Sequence, residues 1–356
     1  MPIMDRSKIR PDVLKMVDEL QKVQLEGIGE FLQLKENQGL DFQALWKKVM
    51  HGNALFFENK GVAEALSGLV TREEMLFLAR MHRFTSDYVA HIKQKKYPVP
   101  EDVKIEATDA GGIPVEWQIV PAAKEDQVLL YLHGGGWVLG SPNSYRLLTI
   151  ELGRATGMRV LNVDYRLAPE HPYPAQLEDC TSAYKWLLSK GIKPENIIIA
   201  GDSAGGSLTL TSILKLRDDG TPLPAGAVCL SPSTEIGLTD DSYFKNGETD
   251  PILADIGLFW WIQAYLAGAD PSDPFLSPLL GDLKGLPPLL FQVSTCEMLY
   301  CDSTRFVDKA RAAGVDVTLE TWDDMLHVFH FFGLHQLSEA KEAIAQAGEF
   351  VQRLSG

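Results

Sequence analysis

Five short apolar runs recur after residue 120, and they constrain the fold more than any other feature of the sequence. They are QVLLYL (127–132), RVLNVDY (159–165), NIIIAG (196–201), GAVCLS (226–231) and PLLFQVS (288–294). Each run is bounded by turn residues, and helix-length segments separate most of them. This alternation is typical of a mostly parallel sheet with helices on both faces, so the sequence predicts an α/β fold.

Flanking segments complete the predicted sheet. VKIEAT (103–108) and VEWQIV (115–120) alternate apolar and polar residues around DAGG, which is typical of a hairpin. VDVTLETW (315–322) adds a late strand, and an amphipathic helix closes the chain at 337–354. We therefore expect about eight strands.

The first 97 residues differ from the rest because they are entirely helical in pattern. Segments 10–33 and 71–92 carry apolar residues at three- and four-residue spacing, and YPVPED (97–102) then ends the region with two prolines. The sequence predicts a helical cap region at 1–97 and a catalytic domain at 98–356.

The segment at about residues 236–286 also interrupts the alternation of strands and helices. It contains an aromatic helical stretch at 250–266, followed by a segment rich in proline and aspartate. We interpret it as an insertion above the carboxyl edge of the sheet, where open α/β folds bind ligands.

Composition excludes several classes of function. The formal net charge of the 356 residues is -15, without a basic stretch, which disfavours nucleic acids and anionic membrane surfaces. No apolar segment approaches a membrane span, and the N-terminus is too charged for a secretory signal. The four cysteines show no C-x-x-C spacing, so we expect neither disulfides nor a metal site, and a cytoplasmic location.

The motif G-x-S-x-G occurs once in a context that favours catalysis. Gly201 to Gly205 follow an apolar strand and open a helical segment, so Ser203 is expected at a sharp, strained turn. A serine hydroxyl is a weak nucleophile and needs a histidine base and an orienting acid. We predict that Ser203 is a catalytic nucleophile.

The base and the acid should follow the serine in chain order. His327 follows the predicted strand 315–322 after a short loop and is the preferred base, with His330 in reserve. Glu297 lies nearest the end of the strand 288–294 and is the preferred acid, with Asp302 as its competitor.

Three consecutive glycines in HGGGW (133–137) follow a strand well before the serine. Acyl transfer forms a tetrahedral oxyanion, which backbone N–H groups stabilise, and glycine permits the close approach. We assign the oxyanion hole to the amides of Gly134, Gly135 and Ala204, while Gly136 either substitutes or shapes the loop.

Four aromatic residues are candidates to line the substrate pocket, because such pockets are largely apolar. Core packing would look the same in the sequence. They are Trp137, Trp260, Trp261 and Phe331.

Three motifs together resemble one known family. HGGGW, GDSAGG (201–206) and DYRLAPEHPYPAQLED (164–179) are similar to the hormone-sensitive-lipase-like esterases, or bacterial family IV, of the α/β-hydrolase superfamily. The resemblance covers about residues 100–356. It implies an eight-stranded hydrolase core under a helical cap, and cofactor-free hydrolysis of short- to medium-chain carboxylic esters through a serine acyl-enzyme. Many members form dimers through the last strand.

The resemblance carries over to individual residues with one departure. It implies Ser203 as nucleophile, His327 as base and a bracing role for the 164–179 motif under the oxyanion loop. Where many members carry the catalytic aspartate, this chain has Cys296, followed by Glu297, as in a subset of the family.

Two other functions fit the same residues. Some relatives, the plant gibberellin receptors, lack the catalytic histidine and bind a small molecule, whereas this chain retains His327. Serine amidase or deacetylase activity would use the same chemistry. The absence of an obvious interfacial segment disfavours a true lipase.

Overall fold

A sheet of eight strands organises the part of the chain that the structure describes. The computed structural model describes residues 5–58, 68–254 and 257–354. The strands are β1 (Lys104–Asp109), β2 (Pro114–Ile119), β3 (Lys124–Leu132), β4 (Met158–Val163), β5 (Ile197–Asp202), β6 (Gly226–Leu230), β7 (Leu289–Ser294) and β8 (Val317–Trp322). Their order is β1-β2-β4-β3-β5-β6-β7-β8.

Helices surround this sheet and precede it. They are α1 (Pro11–Gln33), α2 (Phe42–Glu58), α3 (Arg72–Lys96), α4 (Pro142–Thr156), α5 (Ala175–Ser189), α6 (Ala204–Asp218), α7 (Ser242–Lys245), α8 (Leu258–Leu266), α9 (Tyr300–Ala312), α10 (Phe329–Phe332) and α11 (Ser338–Leu354).

Strand directions confirm the predicted α/β class. The pairs from β4 through β8 are all parallel, whereas β1 with β2 and β2 with β4 are antiparallel. The carboxyl ends of β3, β5 and β7 therefore meet at one edge of the sheet, and the loops that follow these strands converge there.

Side chains of the central strands alternate between two buried layers. On β3, Leu129 packs in the layer that includes Leu148 of α4 and Val351 of α11, whereas Leu130 packs in the layer that includes Leu208 of α6. This alternation is the normal consequence of strand geometry, and it covers both faces of the sheet with helices.

The N-terminal region is helical wherever the structure describes it. Helix α1 begins with Pro11 at its first turn, and a capping box between Thr71 and Glu74 starts α3. Residues 1–4 and 59–67 of the predicted cap region lie outside the described residues. Among described helices, none combines the length and apolar character needed to cross a bilayer.

The aromatic stretch of the predicted insertion forms a shorter helix than the pattern suggested. Helix α8 covers residues 258–266 of the predicted 250–266, because Gly257 and Ala267 bound it in the left-handed conformation. Residues 255 and 256 lie outside the described part of the chain.

Candidate active site

Ser203 occupies a strained turn between β5 and α6. Its φ of 51° and ψ of -120° are unfavourable for a residue with a side chain, so the surrounding packing must hold it there. A Cβ atom on Gly201 would overlap with the carbonyl of Gly205, and one on Gly205 would overlap with that of Leu132. The two glycines of the motif therefore allow the helix to begin directly against β3.

A chain of two hydrogen bonds joins Ser203 to His327 and Glu297. Nε2 of His327 lies 3.0 Å from Oγ of Ser203, and Nδ1 lies 2.5 Å from Oε2 of Glu297. An ionised carboxylate only accepts hydrogen bonds, so the Nδ1–H group of His327 is the donor to Glu297. Nε2 is then left with a lone pair that accepts a hydrogen bond from the hydroxyl of Ser203.

Glu297 is buried and held by two further donors. The hydroxyl of Ser231 donates to Oε1 at 2.9 Å, and the backbone N–H of Ser294 donates to the same oxygen at 2.8 Å. The second carboxylate oxygen is therefore aimed at His327. These partners satisfy a buried charge that would otherwise be costly.

The pKa of His327 lies above its ordinary value of 6.5. Burial lowers it, but the hydrogen bond and the charge of Glu297 outweigh that effect, and the more distant Asp250 and Asp202 act in the same direction as Glu297. The positively charged form of this imidazole is thereby stabilised.

The alternative acid and base have other partners. Asp302 accepts hydrogen bonds from the backbone N–H groups of Thr234 and Glu235 and from the hydroxyl of Tyr243, and burial raises its pKa to about 6. Its contacts tie α9 to the segment after β6. Asp302 is therefore an anchor for the insertion rather than a partner of the imidazole.

The side chain of His330, the reserve base, contacts Gln292 rather than Ser203. Its Nε2 lies 3.0 Å from Oε1 of Gln292, and burial lowers its pKa to about 3. Cys296, which occupies the position of the usual aspartate, is half-buried, and its carbonyl accepts a hydrogen bond from Thr249.

The amide of Gly134 does not match its predicted role in the oxyanion hole. It donates to Oδ1 of Asp202 at 2.9 Å, and a Cβ atom at this glycine would overlap with the same carboxylate. An amide engaged by a buried carboxylate cannot also bind an oxyanion, so this assignment is corrected.

Gly135 and Gly136 line the cavity into which Ser203 opens. Both have positive φ values, 112° and 59°, which favour glycine. Within the described residues, neither of their N–H groups donates to another protein atom. Ala204 opens α6, where the first amides of a helix lack intrahelical partners. These three amides are available to a ligand.

Asp202 was not singled out from the sequence, although it lies inside the serine motif. It is buried and also accepts hydrogen bonds from the hydroxyls of Tyr131 at 2.7 Å and Tyr145 at 3.1 Å. Burial raises its pKa to about 6 against these three donors. The carboxylate therefore holds the start of the glycine loop against the serine turn.

The 164–179 motif has the bracing contacts that the resemblance implies. The hydroxyl of Tyr165 donates to the carbonyl of His133 at 2.6 Å, and the two rings stack at 4.2 Å. Arg166 and Asp179 form a two-pronged ion pair behind them. From α3, Nε of Arg83 donates to the carbonyl of Val138 at 2.7 Å.

The cavity beside Ser203 has a volume of about 280 Å³ and mostly apolar walls. Of the four candidate aromatic residues, Trp261 and Phe331 line it. Trp137 and Trp260 do not: the first stacks flat on Tyr265 at 4.3 Å, and the second is fully buried. For these two tryptophans, core packing is the correct interpretation.

Helix α3 contributes polar groups to the same cavity. His82 and Thr85 lie on its lining, and the buried atoms Nε2 of His82 and Oγ1 of Thr85 have no hydrogen-bond partner among the described residues. Burial lowers the pKa of His82 to about 4. Within the described chain, no group of three or more His, Cys, Asp or Glu side chains is arranged to hold a metal ion.

Comparisons with known proteins agree on one family. A family model described as alpha/beta hydrolase fold matches residues 129–331. An acetyl-hydrolase of Streptomyces hygroscopicus is 43% identical over 69% of this chain and 82% of its own length. An esterase of Acinetobacter venetianus is 39% identical over 72% of this chain and 85% of its own length.

A solved structure gives the same result. The crystal structure of an esterase from the bacterial hormone-sensitive lipase family superimposes with a TM-score of 0.71 at 39% identity, covering 87% of this chain and 99% of the other. The chain therefore belongs to the hormone-sensitive-lipase-like esterases of the α/β-hydrolase fold, and it is a carboxylesterase.

Proposed function

We propose that Ser203 is the nucleophile, His327 the general base and Glu297 the orienting acid of a carboxylic ester hydrolase. The observation that carries this proposal is the continuous line of hydrogen bonds from Oγ of Ser203 through both ring nitrogens of His327 to Glu297. Such an arrangement activates a hydroxyl that is otherwise a weak nucleophile.

The oxyanion is bound by the amides of Gly135, Gly136 and Ala204. The engagement of the Gly134 amide by Asp202 supports this revised set. Each donor is expected to contribute about 10²–10³ in kcat, because it is oriented before the charge develops.

The reaction then follows from these positions. Oγ of Ser203 attacks the ester carbonyl as Nε2 of His327 takes the hydroxyl proton, and the carbonyl electrons move onto the oxyanion. The C–O bond of the ester breaks, and the alcohol leaves with the proton from His327. Water, deprotonated by the same nitrogen, hydrolyses the acyl-serine and restores the hydroxyl.

Esters with short to medium acyl chains suit the cavity best. Its volume of about 280 Å³ lies near the lower end of the range for small-molecule sites. Residues of α1, α3 and the 236–286 insertion form much of its wall, which supports the division into a cap region at 1–97, a catalytic domain at 98–356 and a cap insertion.

A homodimer in the cytoplasm completes the proposal. Strand β8 ends the described sheet and pairs there with β7 alone, so its free edge can accept a second copy. All four cysteines are free thiols, two buried and two half-buried, which suits a reducing compartment.

The decisive experiment replaces Ser203 with alanine and uses p-nitrophenyl butyrate as substrate. The variant should lose at least about 10⁴-fold in kcat, and phenylmethylsulfonyl fluoride should add mass to the wild type alone. Ser212→Ala, at a buried serine on the same helix, is the matched control and should retain activity. Turnover by Ser203→Ala near the wild-type rate would contradict covalent catalysis at this residue.

A further inference from the structure

Lys93 places an ammonium group among aromatic rings at the boundary of two cavities. Its Nζ lies 4.7 Å from the ring centre of Phe331 and 5.6 Å from that of Phe332. The side chain lines both the cavity that contains Ser203 and a neighbouring one of about 150 Å³. Lys93 is thus part of the same continuous lining as the proposed nucleophile.

No carboxylate of the described residues forms an ion pair with this lysine. Glu19 also lines the second cavity, but it is exposed, its carboxylate accepts a hydrogen bond from Gln336 at 3.1 Å, and burial is the only cause of the pKa shift of Lys93. Asp202, on the wall of the first cavity, already has three donors. Among the described residues, the half-buried ammonium group of Lys93 therefore contacts only the faces of Phe331 and Phe332.

A second cation, Lys96, lines the neighbouring cavity together with Lys93. His335 also lines this cavity, and the charges of Lys93, Lys341 and Lys96 add to burial in lowering the pKa of His335. Burial lowers the pKa of Lys93 to about 8, so it remains mostly protonated near neutral pH. This contrasts with the net charge of -15 for the whole chain.

An unpaired ammonium in an apolar pocket is costly unless a ligand supplies the missing charge. We propose that Lys93 binds a carboxylate of the substrate, so that the enzyme selects esters that carry an anionic group remote from the bond that is cleaved. This inference rests on the proposed function, because it assigns the charge of the ester that Ser203 attacks.

Two esters of equal chain length test the charge preference. Rates of acid release from monoethyl adipate and from neutral ethyl hexanoate are compared in the wild type and in Lys93→Met. The variant should lose at least about ten-fold in kcat/KM for the anionic ester, since a charge-assisted hydrogen bond is removed, and at most about two-fold for the neutral one. Lys93→Arg should keep most of the preference.

Lys95→Met is the matched control, because Lys95 is an exposed cation two residues away on α3. It should leave the ratio of the two rates unchanged. A second pair, 4-acetoxybutanoate and butyl acetate, places the carboxylate on the alcohol part instead of the acyl part. A Lys93-dependent ratio in either pair supports the inference and shows which part of the ester reaches the lysine.

Outcomes that overturn the inference are distinct from those that overturn the proposed function. Equal losses for charged and neutral esters in Lys93→Met, in both pairs, would make Lys93 a packing residue only. If that variant does not fold, the wild type still decides: preference for cationic ethyl 6-aminohexanoate over monoethyl adipate would refute anion binding. Failure of the wild type to cleave any ester would instead refute the proposed function.

Discussion

The carboxyl edge of the sheet and the helical layer above it differ in how their buried polar groups are hydrogen-bonded. At the sheet edge, each carboxylate near Ser203 has several donors: Asp202 accepts three hydrogen bonds, and Glu297 accepts from Ser231, Ser294 and His327. In the helical layer, polar atoms of His82 and Thr85 are buried without a partner among the described residues.

This difference concerns how firmly the polar groups of the site are oriented before a ligand binds. Stabilising a transition state requires groups that are oriented before the reaction starts, and fully satisfied networks provide that rigidity. Unpartnered groups on a cavity wall leave hydrogen-bonding capacity that a ligand can use. The carboxylates of the sheet edge are therefore held rigidly, whereas His82 and Thr85 of the helical layer keep hydrogen-bonding capacity.

Replacing Glu297 with glutamine should produce the largest effect and tests the rigid side directly. The amide keeps the size of the side chain but removes the charge that raises the pKa of His327 and fixes its tautomer, so kcat should fall by about 10⁴. Burial then lowers the imidazole pKa against only the more distant charges of Asp250 and Asp202. The acidic limb of the kcat/KM profile, above pH 6.5 in the wild type, should move to lower pH.

Asp302→Asn is the control for this change, since Asp302 is an equally buried carboxyl in the first turn of α9, which follows the loop that carries Glu297. It should leave the acidic limb where it is and lower stability instead. If Asp302→Asn moved the limb and Glu297→Gln did not, the assignment of the acid would be wrong.

Gly136→Ala tests the contact between the glycine loop at the sheet edge and helix α8 in the layer above it. A Cβ atom there would overlap with the ring of Trp261 from α8, and the φ of 59° adds backbone strain. Displacing this part of the loop should lower kcat by about 10²–10³, the usual effect of losing one oxyanion donor. Adding Trp261→Ala to the same chain should restore part of the rate.

Gly157→Ala is the control that adds backbone strain without displacing a neighbouring side chain. Gly157 has a φ of 71°, and no atom of the described residues would lie within 4 Å of a Cβ atom at this position. This variant should lose about 1 kcal/mol of stability and keep its kcat. A rate loss in Gly136→Ala that Trp261→Ala did not relieve would show that strain alone disturbs the loop.

His82→Phe should give the smallest change in rate and a gain in stability. It removes a buried nitrogen without a described partner while keeping a ring against Trp260 and Trp261, so the free energy of unfolding should rise by about 1 kcal/mol.

The pH dependence sharpens this prediction. Since the folded-state pKa of His82 is lowered to about 4, protonation favours the unfolded chain, and the wild type loses stability as pH falls below 6.5. The advantage of the variant should therefore grow between pH 7 and pH 5 in denaturant titrations. His51→Phe, at an exposed position on α2, is the control, and an equal gain there would refute the explanation.

The sequence predicted the sheet well because its strands are buried on both faces. A continuous apolar run such as Ile197–Asp202, bounded by turn residues, has few alternatives to a central parallel strand. The turn at Ser203 was equally predictable from the sequence. The G-x-S-x-G motif places glycines at the two positions where a Cβ atom would overlap with the backbone.

Details that depend on side-chain direction could not be read in this way. Three consecutive glycines do not reveal which amide faces the serine, because a carboxylate from another strand, Asp202, decides it. Trp260 and Trp261 are neighbours on one helix turn, yet one is core and the other lines the cavity. Lys93 lies just beyond the helical pattern noted at 71–92, and only the fold brings it to Phe331.

The close fit of Trp261 against Gly136 has a consequence for how such enzymes diversify. A helix that rests directly on the glycine loop cannot change in evolution, or be exchanged between relatives by protein engineers, independently of that loop. Any replacement helix must place a residue at this contact that fits against a glycine without a side chain. A change in this helix would therefore alter the cavity wall and the glycine loop together.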